Sequence, residues 1–294
     1  MESELFSYPD ADLVLCSSSP DRIQFHVHKC VLAASSTFFD DMFSLPQGPT
    51  ECASPPVVDV AESTHTLENL LRLIYPVPRP KLDSLDELVA MLEVATKYEV
   101  ASAIEHLRRL LVQPEFLSSN PLRVYAIACR FELEEESKIA SQHTLCIKVT
   151  ECPLSEDLKY ISAYQYHRLL DLQRRRAKMA QDLIVYRDEV KCMMCNGTHY
   201  GAFYPPKWWK DWEARAKAEL HERPTTDVIF SWSFLAESAK AGCERCGGSI
   251  VDAHVFLEKL RKGSPAEDSF MLLTITLFHD PFFISQPSSP NLTP

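Results

Sequence analysis

The stretch that decides the fold of the N-terminal part is Phe25-His-Val-His-Lys-Cys-Val-Leu-Ala-Ala-Ser-Ser-Thr-Phe-Phe-Asp-Asp-Met-Phe43. Residues 23–27 alternate apolar and polar side chains, which is typical of a half-buried strand. From His28 the pattern changes to a helical one, and Ser36 can cap a second helix. This second helix would present four apolar side chains: Phe38, Phe39, Met42 and Phe43. The sequence therefore predicts a strand that leads into two short helices.

Further strands and helices are predicted on either side of this stretch. Residues 12–16 form a second strand, and the turn residues after it indicate a hairpin with residues 23–27. Residues 57–60 form a third strand. Three helices then follow: one capped by Ser63 or Thr64 that runs to about Tyr75, one capped by Ser84 that ends near Tyr98, and one that contains Ile104 and Leu111. The pattern indicates a small sheet surrounded by helices.

This pattern resembles the BTB/POZ domain over about residues 10–112. The resemblance is carried by Asp12 before a strand, by Phe25, by the pair His28-Lys29, by the helix Val31-Leu-Ala-Ala-Ser-Ser36 and by the helix Phe38-Phe-Asp-Asp-Met-Phe43. It implies an α+β fold in which Asp12, His28 and Lys29 specify the fold more than they contact a partner. It also implies a docking surface, since family members self-associate or bridge a substrate to a cullin ubiquitin ligase.

Two features bear on the partner that the resemblance implies. Dimeric members carry a helix before the first strand and exchange it between subunits. Here about ten residues precede Asp12, and Tyr8-Pro9 does not favour a long helix. Cullin-binding members often have a hydrophobic-x-Glu motif after the second helix, and the nearest match is Pro49-Thr50-Glu51. Self-association and cullin binding therefore both stay open.

A second, mostly α-helical domain is predicted over residues 113–283, followed by a disordered tail over 284–294. The boundary lies at 112–120, where Asn120 can cap a helix with Pro121 in its first position. Helices are predicted over about 121–131, 134–147, 155–190 (with a break allowed within it), 206–222, 226–241 and 249–262. The segments 121–131 and 134–140 resemble the C-terminal part of BTB-domain proteins of basidiomycete fungi, which implies architecture more than function.

Two C-x-x-C pairs are the main chemical feature of the second domain. Cys192-Met-Met-Cys195 and Cys243-Glu-Arg-Cys246 together supply four thiolates, enough for a closed tetrahedral Zn²⁺ site. Cys246-Gly-Gly248 resembles a zinc knuckle, in which glycine lets backbone amides turn towards sulfur. His199 is a candidate substitute ligand. The alternatives are unligated buried thiols, or a redox-active pair, although no βαβ pattern surrounds either pair.

Three other patterns have both a functional and a structural interpretation. His26, His28 and Cys30 would share one face of a continuous strand and could bind a metal, but the helix begins there. Trp208 and Trp212 lie one helical turn apart and could anchor a partner or fill the core. The basic cluster at residues 174–178 could be a nuclear localisation signal or an acidic-partner patch; a solvated helix face is the simpler interpretation.

Composition and missing motifs disfavour several classes of function. The net charge of −11 over 294 residues disfavours a general nucleic-acid binder, and no apolar run is long enough to span a membrane. The acidic N-terminus lacks the features of a signal peptide, so we expect an intracellular protein of the cytoplasm or nucleus. G-x-G-x-x-G, Walker, G-x-S-x-G and H-E-x-x-H motifs are absent, which disfavours an enzyme.

The sequence therefore predicts a non-enzymatic adaptor or scaffold, with a candidate role as a substrate adaptor for a cullin ubiquitin ligase. Two other functions stay open. One is a transcription-associated BTB regulator, although no zinc-finger spacing for DNA binding is found. The other is a thiol redox protein that uses the C-x-x-C pairs.

Overall fold

The computed structural model describes residues 2–18, 20, 22–45, 55–196, 198–199 and 202–262, without the side chains of 198–199 and 202–203. The chain divides into two compact units. The first comprises the chain up to Ala140 together with Ser155–Tyr160, and the second comprises Ser141–Leu154 and the chain from Ile161 onward. The tail predicted over 284–294 and the motif Pro49-Thr50-Glu51 lie outside the described residues.

The first unit contains a four-stranded mixed sheet. Its strands are β1 (Glu2–Ser7), β2 (Leu13–Cys16), β3 (Gln24–Val27) and β4 (Val57–Asp59), in the order β1-β3-β2-β4. The predicted hairpin is confirmed, since β2 and β3 pair antiparallel with Leu13 opposite Val27. The edge strands are β1, which pairs parallel with β3, and β4, which pairs parallel with β2. The sequence did not predict β1.

Eight α-helices occur in the described part of the chain up to His143, and the predicted α+β class is confirmed. They are α1 (Lys29–Ser35), α2 (Thr37–Ser44), α3 (Thr64–Ile74), α4 (Leu85–Lys97), α5 (Ala101–Leu111), α6 (Pro114–Ser119), α7 (Pro121–Arg130) and α8 (Glu134–His143). Ser36, Ser63 and Ser84 cap their helices as predicted, because each hydroxyl accepts an N–H bond from the first turn. The side chain of Glu87 completes a capping box with Ser84.

The first unit continues past the segment predicted as a domain boundary. Part of 112–120 forms α6, and Pro121 occupies the first position of α7 as predicted. Asn120 does not cap α7 through its side chain, and its amide nitrogen donates to Ser119 Oγ. The Nε of Arg123 lies 2.5 Å from the buried carboxylate of Asp157, which ties the short 3₁₀ helix Glu156–Tyr160 to this unit.

The second unit contains five α-helices among the described residues. They are α9 (Ala163–Asp182), α10 (Lys207–Glu222), α11 (Trp232–Lys240), α12 (Cys246–Asp252) and α13 (His254–Lys262), together with the short hairpin β5 (Thr198–His199) and β6 (Ala202–Phe203). Trp208, Trp209 and Trp212 are fully buried at its centre. The core interpretation of Trp208 and Trp212 is therefore confirmed, and neither can anchor a partner.

Several predicted helix boundaries in the second unit differ from the structure, and side-chain capping explains two of the helix starts. The segment predicted as helix over 155–190 has the break that was allowed, because Ser162 and Gln165 form a capping box that starts α9, and α9 ends at Asp182 instead of near 190. The helix predicted from 226 begins at Trp232, where Ser231 accepts the N–H of Phe234. The helix predicted over 249–262 is two helices that break at Ala253.

The basic cluster at residues 174–178 lies in α9, and only part of it faces solvent. Arg176 and Ala177 are buried, whereas Arg174, Arg175 and Lys178 face solvent. The cluster is therefore part of an amphipathic helix, as the simpler interpretation predicted. None of the helices that the structure describes is long and apolar enough to cross a membrane.

A buried carboxylate links the sheet side of the first unit to the end of α4. Glu62 bonds Lys97 Nζ at 2.5 Å through one oxygen and Tyr98 Oη at 2.6 Å through the other. Burial raises the pKa of Glu62. The two hydrogen bonds and the positive charge of Lys97 lower this pKa by more than burial raises it, so the pKa of Glu62 is below its usual value. The ionised form is therefore the stabilising one.

We expect Glu62→Gln to reduce the free energy of unfolding at pH 7 by about 1–3 kcal/mol, because a buried charge-assisted contact is lost. Because the pKa of Glu62 is lower in the folded protein than the ordinary carboxyl pKa of about 4.3, Glu62 stabilises the fold above that pH. This stabilisation is lost as the pH falls below about 4.3. The difference from wild type should therefore shrink below about pH 4. Urea denaturation across this pH range measures it, with the exposed Glu105→Gln as control. Equal effects from both variants would contradict the prediction.

Candidate functional site

The signature residues of the first unit hold the junction between β3 and α1. Asp12 Oδ1 accepts the backbone N–H of Lys29 at 2.7 Å, at the first residue of α1. The ammonium group of Lys29 lies 5.9 Å from the centre of the Phe43 ring, within range of a cation–π contact. These contacts give Asp12 and Lys29 structural tasks in joining the hairpin to the first two helices.

His28 also has protein partners on both sides of its ring. Its backbone N–H donates to Tyr75 Oη at 2.7 Å, its Nδ1 lies 3.3 Å from the same oxygen, and its Nε2 lies 3.3 Å from Asp10. Cys30 lies exposed within α1. His26, His28 and Cys30 do not form a metal-binding group in the described part of the chain.

The two C-x-x-C pairs converge in the second unit, where the sulfurs of Cys192, Cys195, Cys243 and Cys246 all lie within 4.8 Å of one another. Three of the sulfur–sulfur distances are 3.5, 3.5 and 3.6 Å. A tetrahedral zinc ion with Zn–S bonds of about 2.3 Å requires sulfurs about 3.8 Å apart, whereas a disulfide requires about 2.05 Å. The four cysteines could therefore hold a metal ion such as zinc.

Backbone amides surround these sulfurs. The amide of Lys207, the first residue of α10, donates to Cys195 Sγ at 3.4 Å, and the amide of Trp208 faces Cys246. The amide of Cys243 donates to Cys246 Sγ at 3.2 Å. The positive end of the α10 dipole thus points at two of the sulfurs. Amides in this arrangement stabilise thiolates, the form of cysteine that binds a metal.

The pKa values of Cys195, Cys243 and Cys246 are shifted in different directions. Burial raises the pKa of Cys195 to about 12 and also raises the pKa of Cys246. Burial opposes ionisation of Cys243 too, but the amide of Arg245 and the neighbouring sulfurs lower its pKa to about 7. Four thiolates cannot share this small volume without a cation, because like charges repel strongly at these distances.

A glycine that the sequence analysis missed allows the close approach of the second pair. A Cβ at Gly242 would lie 2.4 Å from Cys246 Sγ and 3.2 Å from the carbonyl oxygen of Ala239. Gly247 and Gly248, which were expected to turn amides towards sulfur, lie inside α12 with open space where a Cβ would be. The glycine that the site requires therefore precedes the pair. Its position next to Cys243 was the available signal.

The remaining site prediction concerns His199. This residue lies in β5, and its side chain lies outside the described part of the structure. The four cysteines form a complete set of four ligands without it. A set of four thiolates leaves no open position for substrate or water, so a metal held here would be structural.

The first unit matches a known family. Residues 6–115 match the family model for the BTB/POZ domain, so this part of the chain is a BTB/POZ domain. The solved BTB domain of zebrafish PATZ1 is similar over 34% of this chain and 75% of its own length, with 20% identity and a TM-score of 0.27. At that TM-score the likeness adds nothing to the family match. No curated protein matches the chain.

We expect Gly242→Ala to displace Cys246 Sγ and to lower the amount of metal that the purified protein carries, because the new methyl group would overlap the sulfur. Elemental analysis of purified protein measures this. The matched control is Gly247→Ala, where a methyl group meets no neighbouring atom and alanine favours the helix. A Gly242→Ala variant with the metal content of wild type would contradict the prediction.

Proposed function

Because residues 6–115 form a BTB/POZ domain, a protein-interaction domain, we propose that the chain is a non-enzymatic adaptor or scaffold. The family match is the observation that carries this proposal. The BTB/POZ domain docks a protein partner. The second unit presents a further surface, and a structural metal ion stabilises the core of this unit. The protein acts inside the cell, in the cytoplasm or nucleus, and the resemblance to basidiomycete proteins supports a fungal origin.

Zinc is the ion that this proposal assigns to Cys192, Cys195, Cys243 and Cys246. Four sulfur donors are typical of structural zinc sites, and the sulfur separations fit Zn–S bonds of ordinary length. The ion would join the loop before α10 to the start of α12. Because these segments enclose the three buried tryptophans, the ion would stabilise the core of the second unit.

The partner of the BTB/POZ domain is either a second copy of the chain or a cullin, and we propose the cullin. The segment after α2 is where the resemblance places the cullin-binding motif. Beside it, α2 and the residue that follows present an apolar stripe at helical spacing: Phe38, Met42 and Leu45. Phe38 is 40% exposed and Leu45 is 62% exposed. Apolar residues of this kind on a helix suit a hydrophobic groove on a partner.

We expect Leu45→Asp to weaken binding to an N-terminal cullin fragment at least 10-fold, because one buried leucine is worth about 1.5–3 kcal/mol at an interface. Isothermal titration calorimetry measures the dissociation constant. The matched control is Leu154→Asp, which alters a leucine that is 85% exposed in the second unit. Light scattering on wild type tests self-association. If the wild-type protein forms a stable dimer and does not bind the cullin fragment, the partner of the BTB/POZ domain is a second copy of the chain and not a cullin.

We expect about one zinc ion per chain in purified wild-type protein, and little in Cys243→Ser, since serine is a poor zinc ligand. Elemental analysis measures zinc, and thermal unfolding should show that the variant is less stable. Wild type without metal, and with four thiols that titrate in the native state, would contradict the zinc site. The lowered pKa of Cys243 would then favour thiol redox chemistry at this pair.

A further inference from the structure

A single buried hydroxyl on α12 contacts two other segments that lie beside the four cysteines. Ser249 lies in α12, one helical turn after Cys246, and is 4% exposed. Its Oγ donates to the carbonyl oxygen of Lys191, the residue before Cys192. The same Oγ accepts the indole N–H of Trp208 at 2.8 Å. Ser249 thus joins both cysteine pairs to the start of α10.

The contacts of Ser249 lie next to the backbone that carries the sulfurs. The hydrogen bond to Lys191 connects α12 to the backbone just before Cys192, which belongs to the other cysteine pair. The bond from Trp208 fixes the first turn of α10, where the amide of Lys207 donates to Cys195 and the amide of Trp208 faces Cys246. The hydroxyl uses its only proton and one acceptor position, and no described contact joins it to a sulfur.

We infer that Ser249 is a positioning residue of the four-cysteine metal site, and this inference rests on the proposed zinc site. It does not bind the ion. It holds the two segments that carry the cysteine pairs, and the first amides of α10, in the arrangement that the ion requires. Hydrogen bonds to residues next to the ligands act in the same way in other metal sites. Its loss therefore weakens metal binding more than the loss of an equivalent buried hydroxyl elsewhere in the same core.

Ser238 supplies that equivalent hydroxyl. It is fully buried in α11, accepts a hydrogen bond from Arg215 at 3.0 Å and contacts the carbonyl oxygen of Phe234 at 3.5 Å. None of these partners belongs to a cysteine pair or to the first turn of α10. Ser249→Ala and Ser238→Ala therefore each remove a buried hydroxyl of the second unit, and only the first removes contacts beside the sulfurs.

The test compares wild type, Ser249→Ala, Ser249→Thr and Ser238→Ala in the full chain. Zinc-loaded protein is mixed with the chelator 4-(2-pyridylazo)resorcinol, and the rate of zinc release is followed by absorbance. Each protein is also loaded with Co²⁺, whose sulfur-to-cobalt absorption reports the geometry of the thiolates. Thermal unfolding of the same samples measures the general loss of stability that both alanine variants share.

We expect Ser249→Ala to release zinc about 10-fold faster than wild type and to shift the cobalt spectrum, whereas Ser238→Ala leaves both unchanged. If Ser249→Ala fails to fold, Ser249→Thr decides, because it keeps the hydroxyl and should retain the wild-type spectrum. Equal release from both alanine variants, or a Ser249→Thr protein without bound metal, would overturn the inference. Wild type that binds no zinc would overturn the proposed site as well.

Discussion

The second unit depends on the convergence of four cysteine sulfurs within 4.8 Å. This volume can hold protonated thiols or a cation with thiolates, but not four bare thiolates, because their repulsion is largest where water is excluded. Burial opposes ionisation of these thiols, and backbone amides offset part of that penalty. Backbone amides at the start of α10 and around Cys243 face the sulfurs, and the dipole of a helix of 16 residues ends there.

Much of the BTB/POZ domain could be predicted from sequence because its signals are local. The serines that cap α2, α3 and α4 each act within one turn of the chain, and alternation identified β3. β1 gave no such signal. Its inward residues Ser3 and Phe6 are three positions apart, because the pairing of β1 with β3 shifts register along the strand. Such a strand has neither strand nor helix periodicity.

In the second unit, the sequence spacing predicted the four cysteines as a site. It did not predict the residues that contact these cysteines and their neighbours. The C-x-x-C pattern is a local property, whereas the amide of Lys207 reaches Cys195 only through the fold. The same is true of Ser249, which bonds a carbonyl group far away in the sequence. Gly242 is required by its distance to Cys246 Sγ, and no periodicity reports such a distance. The starts of α9 and α11 were not predicted for a related reason. Ser162 and Ser231 cap these helices inside apolar patterns that look continuous in the sequence.

The geometry of the cluster bears on the choice between a structural metal and redox chemistry. Sulfurs 3.5–3.6 Å apart must each move by several tenths of an ångström, and together by about 1.5 Å, to form a disulfide of about 2.05 Å. Cys246 is fully buried and Gly242 lies against its sulfur, so this arm has little room to move. A zinc ion requires a slight expansion to about 3.8 Å instead. The packing around Cys246 therefore favours four sulfurs that share one ion over two sulfurs that exchange electrons.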